Sequence, residues 1–573
     1  MQDGTMMERP QRWTTPFDPK MKDQDLRMLM ARPELASVDS GRFPPSLAFA
    51  DIIKNDSRIQ RFKPGDIIIR EGDYGNSAFL LLEGDAKVVI RPSLPSQVLG
   101  RSSIRKRSFF GALSQLWKNS SIAEARQYDK VDTNSTETIT LGGRVSLFDS
   151  RDARSIFEGG QVPQGAVLQV PPLHERYTSA VLRPGAIFGE IAALARVPRT
   201  ATIFAHTNAT LLELRWQGLR DIRKYDEGWR RIIDESYRNN LLKEQLVENP
   251  IFAGLDEATL ADVADRTLFE TYGSFEWSQS YNRERGAGRG GGGETRVAAE
   301  GDYADGVMVI ASGFARVSMK LGNGQRTLTS LREGDIFGLD ELYSSWKLGH
   351  EMPLETSLSA LGYLHVLRVP FQVMVEHIFP KMEAPTKRLR DAESRPLAAD
   401  SLLEWAVDER FINGTKAMLI DLNKCVRCDD CVRACASTHG GNPRFLRHGK
   451  VHGNFMVANS CMHCVDPVCM IGCPTGAIHR TVVGSVVIND TTCIGCGTCA
   501  GSCPYDNIRL VEVRNTKGQA LVDPVSQSPI MKATKCDLCS TQPGGPACVR
   551  ACPHDALSRV DFREGLEQWQ ALN

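Results

Sequence analysis

The sequence predicts a multidomain protein. Two mainly-β, jelly-roll-like domains with flanking helices precede an α+β domain built around cysteine. Three observations carry that prediction. Short β-branched strands alternate with Gly/Asp turns between residues 61 and 90, the pattern of an antiparallel roll. The same strand–turn–strand order returns between residues 299 and 318, which marks an internal repeat. All sixteen cysteines lie between Cys425 and Cys552, and residues 1–424 contain none.

Bulk composition narrows the function. A length of 573 residues allows about three or four domains. Lys plus Arg and Asp plus Glu each number 69, so the net charge is zero. That argues against the broad basic field of a nucleic-acid binder, and no nucleic-acid partner is expected. No uninterrupted apolar run of about 18 residues occurs, so no membrane span is expected. The N-terminal stretch lacks the apolar core of an export signal, which makes the cytoplasm the expected compartment. In a reducing compartment, clustered thiols are metal ligands rather than disulfides.

Residues 1–45 are polar, Pro-containing and weakly periodic, and a mobile or surface-draped arm is expected there. The first roll spans residues 46–245. The run Ile67-Ile68-Ile69, the stretch Ala78 to Leu82 and the stretch Ala86 to Ile90 read as its strands. An insertion at about 91–179 interrupts it. That insertion carries Arg105-Lys106-Arg107 and then Phe109, Phe110, Leu113, Leu116 and Trp117 at helical spacing. The stripe could dock a partner or a membrane surface, and is expected to pack on its own domain.

Beyond the insertion, Phe188-Gly189-Glu190-Ile191-Ala192 precedes Pro198-Arg199-Thr200-Ala201-Thr202. A glycine before a short helix exposes backbone N–H groups to a phosphate, and an arginine supplies a planar fork for it. On these residues the stretch resembles the phosphate-binding cassette of the cyclic-nucleotide-binding domain family, shared by cyclic-nucleotide-dependent kinases, channels and catabolite-activator-type regulators. The resemblance implies that Glu190 holds a ribose 2′-hydroxyl and Arg199 the cyclic phosphate. It places Gly189, Ile191 and Ala192 along the ligand through their backbone, and Thr200 beside the phosphate or base. The cofactor so implied is cAMP or cGMP, without a choice between them.

Residues 246–388 repeat the unit in degenerate form. Arg332-Glu333-Gly334-Asp335-Ile336-Phe337-Gly338 parallels Arg183 to Gly189, but Leu339 stands where Glu190 stood. No arginine lies between Arg332 and Arg368, and Lys347 is the cation nearby, so no nucleotide site is expected. The loop Gly286 to Gly293 lacks the Lys-Ser/Thr ending of a P-loop and reads as a flexible surface loop. Residues 389–412 read as a mixed, charged linker, where catabolite-activator-type regulators would carry a DNA-binding helix-turn-helix.

The cysteines of residues 413–573 form four groups: Cys425, Cys428, Cys431 and Cys435; Cys461, Cys464, Cys469 and Cys473; Cys493, Cys496, Cys499 and Cys503; Cys536, Cys539, Cys548 and Cys552. The first and third read C-x2-C-x2-C-x3-C, the spacing of bacterial [4Fe–4S] ligation. The others widen one gap. Pro474, Pro504 and Pro553 follow three of the groups. Zinc would be served by pairs of C-x2-C. Three close cysteines plus a fourth, which serves a neighbouring cluster, suit iron–sulfur cubanes instead. Strands are expected at Met418 to Asp421, Val482 to Ile488 and Ile508 to Val513, giving a ferredoxin-like polyferredoxin domain.

The group order resembles the electron-transfer (beta) subunits of the molybdopterin oxidoreductase family and related hydrogenase-associated ferredoxins. The resemblance implies four [4Fe–4S] clusters with crossed ligation. Cys425, Cys428 and Cys431 would pair with Cys552, and Cys536, Cys539 and Cys548 with Cys435. Cys461, Cys464 and Cys469 would pair with Cys503, and Cys493, Cys496 and Cys499 with Cys473. His439, His463 and His554 are expected in surface or packing roles. No catalytic constellation is visible. The expected function is therefore electron transfer to or from a redox protein or a catalytic oxidoreductase subunit, with nucleotide binding as a gate. The alternative is a redox- or oxygen-responsive regulator with cyclic-nucleotide input and a protein partner as output.

Overall fold

A computed structural model of the chain describes residues 6–562, except 15, 92–177, 196–197, 253, 275, 287–293, 323, 384–396, 482–483, 541 and 543. The aromatic stripe of the insertion and nearly all of the Gly-rich loop lie outside the described residues.

The first roll is a pair of four-stranded antiparallel sheets. One is ordered Ser57–Phe62, Ala209–Arg215, Ser77–Glu83, Ile187–Phe188, and the other Ile67–Ile69, Thr202–Ala205, Ala86–Arg91, Thr178–Leu182. Period-two alternation explains why Ser77–Glu83 is apolar at consecutive positions. Phe79 and Leu81 enter the core between the sheets, while Ala78, Leu80 and Leu82 point to helices on the other side.

Those helices include the N-terminal stretch. Residues 23–30 and 33–36 are helical, and Leu29, Leu35, Val38 and Phe43 are buried with Phe49, Ile52, Leu219 and Trp229. Arg12 pairs with Asp56 and Asp221 at 2.5 and 2.7 Å. Of the two expectations, mobile or surface-draped, the structure shows a draped stretch that packs as a layer on the first roll. Its apolar residues are few, but the outer face of the sheet would face water without them.

The second roll is one six-stranded antiparallel sheet centred on the long strands Gly306–Leu321 and Ser357–Pro370. Val307, Val309, Leu342, Leu367 and Phe379 belong to the same apolar cluster as the helices of the first roll, so the two rolls share a core.

The expected linker is also corrected: it contains the helix Leu397–Asp408. Leu403 and Val407 pack on Leu361 of the second roll, and Leu402 and Ala406 on the cysteine domain. Arg316 anchors it. This guanidinium is 6% exposed and bonds Glu294 and Glu404 at 3.0 and 2.8 Å, with Asp408 as a third carboxylate. Arg316→Ala is expected to destabilise the joint by about 2–3 kcal/mol, because Glu404 and Asp408 lose their counter-charge while staying partly hydrated, and Glu294 keeps Arg410. Thermal unfolding followed by tryptophan fluorescence reads this directly.

The cysteine domain has a four-stranded sheet ordered Leu446–His452, Phe455–Asn459, Ala417–Asp421, Leu557–Val560 and two hairpin-like pairs, Ile478–Arg480 with Val486–Ile488 and Arg509–Glu512 with Met531–Thr534. Strands stand at Ala417–Asp421 and Arg509–Glu512 near the expected places, and of the expected Val482 to Ile488 the part Val486–Ile488 is a strand, with Val482 and Val483 outside the described residues. No helix among the described residues is long and apolar enough to cross a membrane.

Candidate functional site

Strand pairing explains which cysteines meet. The first strand of the cysteine domain pairs with its last, Met418 opposite Arg559, which brings the first group to the fourth. The hairpin Ile478–Arg480/Val486–Ile488 lies between Cys473 and Cys493 and folds one back on the other. One cavity is lined by Cys473, Cys493, Cys496 and Cys499, and a second by Cys461, Cys464, Cys469 and Cys503. The outer groups also meet: Cys435 lies near Cys539 and Cys548, Cys548 lies near Cys431, and Cys425, Cys431, Cys435, Cys548 and Cys552 share one cluster.

Each group also turns in the same way. The second residue after its first cysteine is left-handed: Arg427 (φ 62°), His463 (φ 48°), Gly495 (φ 67°) and Leu538 (φ 62°). Only one of the four is glycine, so three loops hold a strained backbone in a turn of the kind that cradles iron–sulfur groups. At Gly495 a Cβ would lie 2.0 Å from the Met531 carbonyl oxygen. Gly495→Ala is therefore expected to open the third loop and cost that site its iron, read as lost iron and sulfide per chain.

The donor set fits an iron–sulfur core. All sixteen cysteines are free thiols, and the two cavities are otherwise lined mostly by apolar side chains and prolines. Burial pushes Cys499 and Cys539 up to about 12 and Cys431, Cys503 and Cys548 up to about 11. It holds Cys464 and Cys469 well above an ordinary thiol. Such thiols ionise when a cation enters to take their charge. At Cys536 burial acts the same way, but Arg559 and the Leu538 N–H more than offset it and the thiol is lowered. Backbone N–H groups already point at sulfur: Arg444 donates to Cys435 at 3.1 Å, and Ala556 to Cys552 at 3.4 Å. Bound there, an iron–sulfur cluster supplies one-electron chemistry.

The histidines divide. His554 is exposed. His463 is buried, and its Nδ1 accepts from the Val486 N–H at 3.1 Å. His439 is neither on the surface nor mere packing: its ring bonds Asp537 at 3.0 Å and lies 3.7 Å from Cys435 Sγ. Burial lowers its pKa, but Asp537 and Cys435 outweigh that and raise it to about 10. No sequence signal separates it from the other two.

In the first roll, the cassette is assembled. Glu190 starts a short helix, Glu190–Ala195, after Gly189, and accepts from Ser236 Oγ at 2.9 Å. Ile191 and Ala192 are buried and Thr200 is half-buried. Arg199 is buried and donates to the carbonyls of Ser77 (2.7 Å) and Gly189. Burial lowers its pKa to about 10, against the pull of Glu213, Glu190 and Asp73. Its guanidinium lies over Gly75, where a Cβ would fall 2.2 Å from Nε, so a larger residue there would push the guanidinium aside.

Gly75 sits between two residues that leave the roll. Tyr74 stacks under Arg480 of the cysteine domain at 4.5 Å, and Asn76 donates to the Arg480 carbonyl at 3.1 Å. Arg480 in turn donates to the Cys464 carbonyl at 2.6 Å. A single arginine thus touches the turn beneath Arg199 and a cysteine loop, a contact the sequence does not reveal. In the second roll, Leu339 opens the helix Leu339–Leu348, Arg368 is held by Glu270 and Asp305, and Lys347 lies over Trp346.

Fold and thiol-lined cavities together define a ferredoxin-type electron carrier joined to cyclic-nucleotide-binding domains. The 4Fe-4S dicluster domain family matches residues 453–562, and the cyclic nucleotide-binding domain family matches residues 164–226 and 293–378. Electron transport protein HydN of Escherichia coli K12 is 37% identical over 167 residues, 27% of this chain and 92% of that protein. Formate hydrogenlyase subunit 2 of the same organism is 32% identical over 25% of this chain and 81% of its own length. The regulatory domain of Toxoplasma gondii PKA, solved with cAMP, aligns over 63% of this chain and 93% of its own at 16% identity, with a TM-score of 0.19. At that score it carries no weight beside the family match. Through its cysteine domain, the chain belongs to the family of HydN-like ferredoxin electron transport proteins, and it transfers electrons through iron–sulfur clusters.

Proposed function

We propose that the protein relays single electrons through four [4Fe–4S] clusters to or from a redox protein or the catalytic subunit of an oxidoreductase, and that cAMP or cGMP in the first roll biases that relay. The crossed convergence of the cysteines carries the reading. Four separate three-plus-one sets suit four cubanes, where four tetrahedral zinc sites would need no such exchange between groups. The ligand sets are Cys425, Cys428, Cys431 with Cys552; Cys435 with Cys536, Cys539, Cys548; Cys461, Cys464, Cys469 with Cys503; and Cys473 with Cys493, Cys496, Cys499. The partner is a redox protein by the chemistry of the carrier, and relatives named for electron transport and formate hydrogenlyase support that class.

The gate rests on the path from Arg199 through Gly75 and Tyr74 to Arg480 and the Cys464 loop. A ligand that moves Arg199 off the Ser77 and Gly189 carbonyls displaces the turn that holds Tyr74. Cluster stoichiometry with redox titration tests the relay: about sixteen irons per chain and reversible one-electron reduction, without iron loss in air, are expected. Iron released in air would favour the redox-responsive regulator instead.

A further inference from the structure

Arg559 lies on the last strand of the cysteine domain, opposite Met418. Its Nη2 donates to Cys536 Sγ at 3.2 Å and to Ser460 Oγ at 3.0 Å, and its Nη1 to the Lys416 carbonyl at 2.8 Å. It feels Cys548 and Cys461 as well as Cys536. These cysteines belong to two different sets: Cys536 and Cys548 meet Cys435, whereas Cys461 shares a cavity with Cys503.

Two features of Arg559 are unresolved by the protein itself. Among the described residues no carboxylate forms a salt bridge with it, and its buried Nε has no hydrogen-bond acceptor. The residue is half-buried, so the missing counter-charge costs less than full burial would make it, but a buried Nε without an acceptor is costly. Arg316 shows what this chain does with a buried arginine, surrounding it with three carboxylates. What surrounds Arg559 is thiol sulfur, which is anionic once it binds iron.

We propose that Arg559 is the fixed positive charge that sets the reduction potentials of two adjacent clusters, the one held by the Cys461 set and the one held by the Cys536 set, and that the net negative charge of these clusters is its missing counter-ion. The inference rests on the four-cluster reading. Its direction follows from charge. Reduction adds an electron beside a cation in a low-dielectric site, so the guanidinium stabilises the reduced form and raises both potentials. Because an arginine does not titrate in this range, the effect is independent of pH.

The test uses the full chain, reconstituted anaerobically, with Arg559→Gln and Arg559→Lys. Iron and sulfide content and an EPR-monitored redox titration are the readouts. Wild-type protein at about sixteen irons per chain tests the four-cluster reading by itself; a lower content defeats that reading whatever the variants do. With that content secured, Arg559→Gln is expected to keep its iron and to shift two of the four titrating signals to lower potential. Arg559→Lys, which keeps the charge but not the fork, is expected to shift the same two signals by less. Unshifted potentials in an iron-replete Gln variant, or an equal shift of all four signals, overturn the proposal. Should the Gln variant lose iron, Arg559→Met, which fills the same space without the charge, decides: wild-type potentials in an iron-replete Met variant overturn the proposal.

Discussion

Cys503→Ala is expected to remove the EPR signal that Cys464→Ala removes, and to leave the signal that Cys493→Ala removes. Sequence order suggests the opposite, because Cys503 closes the third group and lies only ten residues from Cys493. The cavities say otherwise: Cys503 lines the space with Cys461, Cys464 and Cys469, and Cys473 lines the space with Cys493, Cys496 and Cys499. About a quarter of the iron is at stake in each variant, with the three remaining signals as an internal control for folding. The consequence for electron flow is larger than for iron. The Cys461 set lies next to the Cys536 set, as the shared neighbour Arg559 shows. Loss of its cluster would therefore cut the relay between the third-group end and the first-and-fourth-group end. Electron delivery to an acceptor should then fall by orders of magnitude while the outer clusters still reduce. If Cys503→Ala and Cys493→Ala silence one and the same signal, the crossed arrangement is wrong.

Cysteine spacing was readable because ligands to one cluster are mostly local in sequence. The strands of the rolls were readable because alternation is local too. What stayed hidden depends on tertiary context. The helix Asp23–Met30 buries only Leu29 fully, and so short a helix takes its stability from the sheet it covers rather than from its own pattern. The helix Leu397–Asp408 buries Leu403 and Val407 against one domain and Leu402 and Ala406 against another, so it shows no single apolar stripe. The left-handed turns at Arg427, His463 and Leu538 carry no glycine to announce them. Arg480 and Arg559 look like ordinary strand arginines until the fold delivers them to cysteine loops.

Arg199→Ala is expected to weaken cAMP or cGMP binding by about 2 kcal/mol or more, roughly 30-fold, in calorimetry on the full chain. The ligand phosphate loses its charged partner, the guanidinium that leaves the Ser77 and Gly189 carbonyls to meet it. Tyr74→Ala separates binding from its consequence. Tyr74 touches Arg480 rather than the cassette arginine, so the variant should bind nucleotide within a few-fold of the parent. In the parent, linkage requires that a nucleotide which shifts the potential of the cluster at Cys464 binds the oxidised and reduced protein with affinities differing by the same factor. Without the Tyr74 ring over Arg480, that difference should vanish while Arg480 keeps its bond to the Cys464 carbonyl. A parent protein that binds neither nucleotide at concentrations on the order of tens of micromolar would remove the gate from the reading and leave the relay. A parent that binds nucleotide equally in both redox states would leave the first roll a sensor whose signal goes somewhere other than the clusters.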